Sequence, residues 1–286
     1  MTAIEVVPVM YQLVAHAWQR EHVHFLQYLC PLFVIPCRYD DGDEQTRAAS
    51  VGVTAISREK QMNTRPLEPT EPATPPSYEG LLHDQYGAET VARGRAEARA
   101  SLGLGDPRTA LGPSAVAPPF ALSDSNGATV SLAGMLQQGP TVLIFYRGGW
   151  CPFCNVYLRT FQLARPHLRA LGAQVVLISP EQTTRGQALA ERHALLFPVL
   201  SDVGNAVARQ YGLVFQIPQE LRAEYLADGL DLAERNGDPS WEVPMPATFV
   251  VAADGRIQYA FVSADYTQRA EPAEVLTTLR RLYTRR

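Results

Sequence analysis

A chain of 286 residues, 46% hydrophobic and 19% charged, has the composition of a globular protein of one or two domains and is long enough to bury a full core. A formal net charge of -4 argues against nucleic acid or an anionic membrane surface as the main partner. Four cysteines in a chain this long do not make a disulfide scaffold, and no apolar run reaches the length of a membrane-spanning helix.

Residues 1–61 show no sustained hydrophobic period and read as an N-terminal extension. Their most apolar piece, "FLQYLCPLFVIPC", is interrupted by Pro31 and Pro36 and follows Arg20 and Glu21. That order is poor for a secretory signal, so a cytoplasmic protein is expected. Residues 62–80 are rich in proline, which removes backbone donors and fixes φ, and read as an extended linker. A helical lead-in over 81–116 follows. Within it Glu79 to Leu102 reads as one or two polar helices weakened by Gly87 and Gly94, and "GLGDPRTALGPSAVAPP" is a break.

From residue 117 to the end a single domain is expected. "FALSDSNGATVSL" reads as a hairpin turning at Asn126-Gly127. "TVLIFY", Thr141 to Tyr146, is continuously apolar and fits a buried central strand. Cys151 to Leu171 reads as a helix with Leu158, Phe161, Leu163 and Leu168 inward and Pro166 as a kink or break. "AQVVLISP" is a second buried strand, Gln182 to His193 a helix, and "FPVLSD" a short strand. Asp202 to Tyr211 reads as a helix stopped by Gly212. Pro246 to Asp265 reads as an antiparallel pair turning at Asp254-Gly255, and Glu271 to Arg285 as a closing amphipathic helix. Strand–helix alternation ending in a hairpin and a helix predicts a three-layer α/β/α sandwich with a mixed central sheet.

The chemistry centres on "YRGGWCPFCN", Tyr146 to Asn155. The strand ends at Tyr146, Gly148 and Gly149 permit a tight turn, and a helix begins near Cys151. Cys151 and Cys154 therefore fall on a first helical turn, where free backbone N–H groups and the helix dipole favour a thiolate. Arg147 adds a candidate cation, and Pro152 suits an early helical position. The two-residue gap puts the sulfurs about one turn apart, close enough for an internal disulfide. Half of a zinc site is the competing reading, but no second ligand pair is at hand. Cys30 and Cys37, and His167 and His193, lack the spacing. No phosphate loop and no flavin, haem or nicotinamide signal is present, so no cofactor and no metal are expected.

The stretch resembles the thioredoxin fold: "WCPFC" is similar to its redox motif, and "MPATFVV" to the segment that carries a cis-proline facing the cysteines, here Pro246. Taken together, "APPFALSDSNGATVSL", "GPTVLIFYRGGWCPFCN", "VVLISPE", "FPVLSDVGNAVARQYGLVF", "NGDPSWEVPMPATFVVAADGRI" and "DYTQRAEPAEVLTTL" resemble the peroxiredoxin-like branch of the alkyl hydroperoxide reductase / thiol-specific antioxidant family. The likeness runs from about Ala117 to the C-terminus and takes in the helical segment from about Ser77. Residues 1–61 match nothing in that family, and Met62 would be a natural start. The expectation is that the extension reflects a misplaced start codon, which native peptides upstream of Met62 would refute.

The resemblance implies a thioredoxin-like fold and thiol-dependent reduction of hydrogen peroxide or alkyl hydroperoxides. It aligns Cys154 with the peroxidatic cysteine of a Pro-x-x-x-Thr-x-x-Cys motif, Cys151 with its threonine and Arg147 with its proline. The family's arginine before the "ATF" strand is replaced by Pro246. In the peroxidase reading Cys154 attacks, Cys151 resolves, and thioredoxin or a similar dithiol recycles the pair. In the alternative, a thiol–disulfide oxidoreductase, the more exposed Cys151 attacks and Cys154 resolves. Trp150 is read as a cover for the cysteines. The oligomeric state stays open, a homodimer among the options.

Overall fold

The computed structural model describes residues 74–100 and 104–284. The expectations for the 1–61 extension and for most of the linker, with Cys30 and Cys37, lie outside the described residues. No helix among the described residues is long and apolar enough to cross a membrane.

The lead-in is two helices, α1 (Tyr78–Tyr86) and α2 (Ala88–Ala100). Ser77 caps α1 by accepting the Gly80 N–H at 2.9 Å, and Gly87 separates the two. Hairpin strands β1 (Ala121–Asp124) and β2 (Thr129–Ser131) follow, their turn held by the Asp124 carboxylate, which accepts the N–H groups of Asn126 and Ala128. Then come α3 (Leu132–Gln138), β3 (Thr141–Phe145), α4 (Pro152–Ala170), β4 (Gln174–Ser179), α5 (Thr183–Arg192) and β5 (Val199–Ser201). After them lie α6 (Ala206–Gln210), β6 (Val214–Gln216), α7 (Gln219–Ala227), α8 (Leu232–Asn236) and β7 (Glu242–Pro244). The chain closes with β8 (Ala247–Val251), β9 (Ile257–Val262) and α9 (Pro272–Tyr283).

Seven strands form one mixed sheet in the order β2-β1-β5-β4-β3-β8-β9. β3 runs parallel to β4 and antiparallel to β8, so it lies inside the sheet, and all five of its residues are buried. Because side chains alternate along a strand, β3 and β4 feed two cores. Val142, Ile144, Val175 and Leu177 pack under α4 and α9 with Leu158, Phe161, Leu168, Val275 and Leu276. Leu143, Phe145, Val176 and Ile178 face the other side, with Leu132 and Met135 of α3 and Val207 of α6. The predicted α/β/α sandwich with a mixed sheet is the fold observed.

Several local readings need correction. Leu163 is 46% exposed rather than inward. At 100° per residue it lies about 200° from Phe161, on the opposite face of α4. Pro166 does not break α4, which runs through it. The proline sits on the exposed side, where water can take the carbonyl it leaves without a partner. The helix read over Asp202 to Tyr211 begins only at Ala206, after a 3-10 turn over Val203–Asn205. Further on, the stretch between β6 and β7, to which the sequence reading assigns no element, carries α7 and α8, and these two strands form a separate antiparallel ribbon.

Candidate active site

The turn from β3 into α4 sets the site. Gly148 has φ +151, and a Cβ there would lie 2.3 Å from the Trp150 indole nitrogen, so a side chain is excluded by both backbone and neighbour. The Gly149 N–H donates to Glu181 Oε2 at 2.6 Å, and Glu181 Oε1 accepts from Arg235 Nε at 3.1 Å. Asn155 Nδ2 donates to the Gly149 carbonyl at 3.0 Å. The turn is thus pinned by β4's end, by α8 and by α4 itself.

Cys151 is the N-cap of α4, Pro152 its first residue and Cys154 its third. Both cysteines are free thiols with zero exposure, so the expectation that Cys151 is the exposed one is corrected. An aromatic shell closes over them. Phe153 meets Tyr266 edge-on at 5.9 Å, and Gly94 of α2 packs so tightly on Phe153 that a Cβ would come within 2.8 Å of the ring.

Arg269 Nη2 donates to Cys154 Sγ at 3.2 Å across 115 residues of sequence. Its Nη1 donates to the carbonyls of Tyr266 and Gln268. The Asp265 carboxylate accepts both the N–H and the hydroxyl of Thr267, and the Tyr78 hydroxyl of α1 donates to the Thr267 carbonyl at 2.8 Å. This loop between β9 and α9 therefore presents a fixed cation to the sulfur. A guanidinium is suited to such a place, being planar, permanently charged and weakly hydrated.

Arg147 is 2% exposed. Its guanidinium carbon lies 4.6 Å from the Trp150 ring centre and 4.4 Å from that of Tyr266, and Nη2 donates to the Tyr225 hydroxyl at 3.0 Å. Trp241, with a left-handed φ of +59, meets Tyr225 in a tilted contact at 6.4 Å between ring centres.

These charges separate the two thiols. Burial pushes Cys154 up, but the Cys151 thiol as hydrogen-bond donor, the Arg269 charge, the Arg147 backbone N–H and the Arg147 charge outweigh it and hold Cys154 at about 5. Burial pushes Cys151 well up, and its hydrogen bond to the neighbouring sulfur and that sulfur's charge push it further. At neutral pH the pair is a thiolate at Cys154 beside a thiol at Cys151. Such a pair can attack an electrophilic oxygen or sulfur with Cys154 and supply a proton from Cys151.

Four of the five residues singled out in the sequence, Cys151, Cys154, Arg147 and Trp150, fall in this cluster. Pro246 borders it: Phe145 pairs with Ala247, so one step further places Pro246 opposite Tyr146. The expected cis bond is corrected, since no peptide bond among the described residues is cis. The Pro246 carbonyl accepts the Ser263 N–H at 3.4 Å, so the chain enters the β8–β9 ladder extended and needs no reversal there. Sequence reasoning missed Arg269, Tyr266, Tyr225 and Glu181. Arg269 sits in "DYTQRAEPAEVLTTL", but nothing local to that stretch points at a sulfur 115 residues away. Among the described residues no group of three or more His, Cys, Asp or Glu side chains could hold a metal ion.

The AhpC/TSA family model matches residues 113–260. The chain is 30% identical over 131 residues to chloroplastic Peroxiredoxin Q of Triticum aestivum, covering 46% of this chain and 58% of that protein. It is 34% identical over 85 residues to chloroplastic Peroxiredoxin Q of Sedum lineare, covering 30% and 45%. The chain thus spans less than two thirds of the length of these relatives. The crystal structure of Peroxidoxin BcpB from Mycobacterium tuberculosis superposes with a TM-score of 0.48 at 23% identity, covering 60% of this chain and 98% of that one. The family match contains both cysteines and stops before Arg269, and because it covers just over half of the 286 residues, this chain belongs to the AhpC/TSA family.

Proposed function

We propose that the chain is a thiol peroxidase that reduces hydrogen peroxide or alkyl hydroperoxides, with Cys154 as the attacking sulfur. The observation that carries this reading is the Cys154 sulfur itself, in the first turn of α4 with Arg269 Nη2 at 3.2 Å. The family supports the reaction class, and the inverted acidity of the two thiols supports the order of attack.

The Cys154 thiolate attacks the terminal peroxide oxygen. An S–O bond forms, the O–O bond breaks, and the leaving alkoxide or hydroxide takes the Cys151 thiol proton as alcohol or water. Cys154 is now a sulfenic acid, oxidised by two electrons. The new Cys151 thiolate attacks Cys154 Sγ, and hydroxide departs and is protonated to water. Thioredoxin or a similar dithiol then gives two electrons and two protons, restoring both thiols. Arg269 and Arg147 stabilise the negative charge that moves from sulfur to the departing oxygen. The cytoplasm, where such dithiols are kept reduced, is the compartment proposed. Attack by Cys151 on a disulfide draws no support from a thiol that is held protonated, and burial does not separate it from the equally buried Cys154.

The test is the second-order rate at which the reduced protein consumes hydrogen peroxide. The reading expects a rate far above that of glutathione, abolished by Cys154→Ser. A rate equal to that of a free thiol, with hydrogen peroxide and with an alkyl hydroperoxide alike, overturns it.

A further inference from the structure

The charges buried around Cys154 do not balance. Arg147 and Arg269 are both buried, and neither makes an ion pair with any carboxylate among the described residues. The nearby Glu181 carboxylate is already paired with Arg235. One thiolate therefore faces two guanidinium groups, and a buried cation without a counter-charge is costly. Arg269 directs Nη2 at Cys154 and Nη1 at two carbonyls, leaving only its Nε buried without a partner. Arg147 spends Nη2 on a neutral phenol, while its Nε and Nη1 are buried with no partner. Five donors on one fork, most of them unused, suit a carboxylate, which takes two parallel hydrogen bonds.

The phenol that occupies Arg147 comes from α7. No residue of α7 is buried, and Leu226 is exposed on it. Tyr225 meets the site through the Arg147 bond, an edge contact with Trp150 at 6.1 Å and a tilted contact with Trp241 at 6.4 Å, while Leu221 packs on the core beside it and the Arg222 guanidinium lies 5.6 Å from the Trp241 ring centre. α8, the next helix, is tied down separately by Arg235 to Glu181 and Arg185 to Glu234. So α7, none of whose residues is fully buried, lies over a catalytic turn that is pinned independently of it. With both sulfurs at zero exposure, something over the site has to move before any substrate enters.

We propose that Arg147 is an anion-recognition site, filled in the resting protein by the Tyr225 hydroxyl and taken over by the carboxylate of an organic hydroperoxide whose apolar part lies along Trp150, Tyr266 and Trp241. This rests on the peroxidase reading for its substrate, but the anion site itself does not. Displacing Tyr225 trades a neutral acceptor for a charged one and neutralises the surplus cation. The aromatic walls give the rest of the molecule an apolar lining.

The experiment uses the reduced full chain with octanoate and octanol as probes, titrated by calorimetry. Octanoate is expected to bind at least about tenfold more tightly than octanol, as loss of a charged hydrogen-bonded partner implies. Tyr225→Phe removes the competing hydroxyl and is expected to tighten octanoate several-fold without changing octanol. Arg147→Gln is expected to erase the difference between the two. Equal binding in the unaltered protein, or a preference that survives Arg147→Gln, overturns the site. If Arg147→Gln does not fold, a looser octanoate complex in Tyr225→Phe overturns it. For the substrate, the kcat/KM ratio of linoleic acid hydroperoxide to its methyl ester is expected to exceed ten and to fall to about one in Arg147→Gln. A ratio of one in the unaltered protein overturns the substrate class. Reaction with both hydrogen peroxide and linoleic acid hydroperoxide no faster than that of a free thiol, alongside intact octanoate selectivity, refutes the peroxidase reading and supports the anion site.

Discussion

Replacing Arg269 by methionine keeps an unbranched, flexible apolar stem and removes the guanidinium and its charge. In the native protein this guanidinium donates to Cys154 Sγ at 3.2 Å from a buried side chain. Hydrogen bonds to charged groups contribute about 1.5–3 kcal/mol net, and 1.36 kcal/mol corresponds to one pKa unit. The variant should therefore titrate about one to two pKa units above the native value of about 5. Arg269→Lys, which keeps a charge but loses the fork that also holds the Tyr266 and Gln268 carbonyls, should fall between the two. The assay is the pH dependence of iodoacetamide alkylation at Cys154, located by fragment-ion mass spectrometry so that Cys151 on the same peptide is read separately. An Arg269→Met midpoint still at about 5 would show that the helix turn and Cys151 alone hold the thiolate, and the argument from the loop cation would be wrong.

Other expectations follow from the same geometry. The Cys154 thiol sits at about 5 folded against an ordinary value near 9, so the unfolded chain binds the extra proton between those limits. Its contribution to stability is full above about pH 9 and is lost as pH falls toward 5, and the melting temperature of the reduced protein relative to Cys154→Ser should show that slope. His193, held down to about 4 first by burial and then by Arg192 and Arg159, contributes stability that is full above about 6.5 and lost toward 4. His193→Phe should flatten that limb of the melting profile. Gly94→Ala drives a methyl into the Phe153 ring and should cost about 1–3 kcal/mol in urea unfolding. Gly148→Ala should cost a similar amount and should also slow peroxide consumption, because it displaces Trp150 and the pinned turn.

Much of this fold was legible because its signals are local. Continuous apolar runs marked β3 and β4, and the Asp254-Gly255 turn marked the β8–β9 hairpin. The placement of Cys151 and Cys154 at a strand end and a helix start followed from two glycines and a proline. What escaped the sequence depends on contacts made by the folded chain. Arg269 reaches Cys154 only because the β9–α9 loop, braced by Asp265 and by Tyr78 from α1, folds back over α4. Tyr225 lies on a helix with no fully buried residue, where only Leu221 one turn before it shares its half-buried face, so the hydrophobic period is too short to announce it. Cys151 was expected to be the exposed thiol from its place at the helix start, but exposure there is decided by Phe153, Trp150 and Tyr266, residues whose rings close over the pair. The resemblance puts Pro246 where an arginine is expected before the "ATF" strand, and Arg269, the cation that donates to Cys154 Sγ, lies beyond the stretch that matches the family.

The central claim is that Cys154, rather than Cys151, is the sulfur that meets peroxide. It is tested most directly by treating reduced Cys151→Ser and Cys154→Ser variants with one equivalent of hydrogen peroxide and trapping sulfenic acid with dimedone for mass spectrometry. The account predicts a dimedone adduct on Cys154 in the Cys151→Ser variant and none on Cys151 in the Cys154→Ser variant. An adduct that forms readily on Cys151 while Cys154 stays unmodified would contradict it.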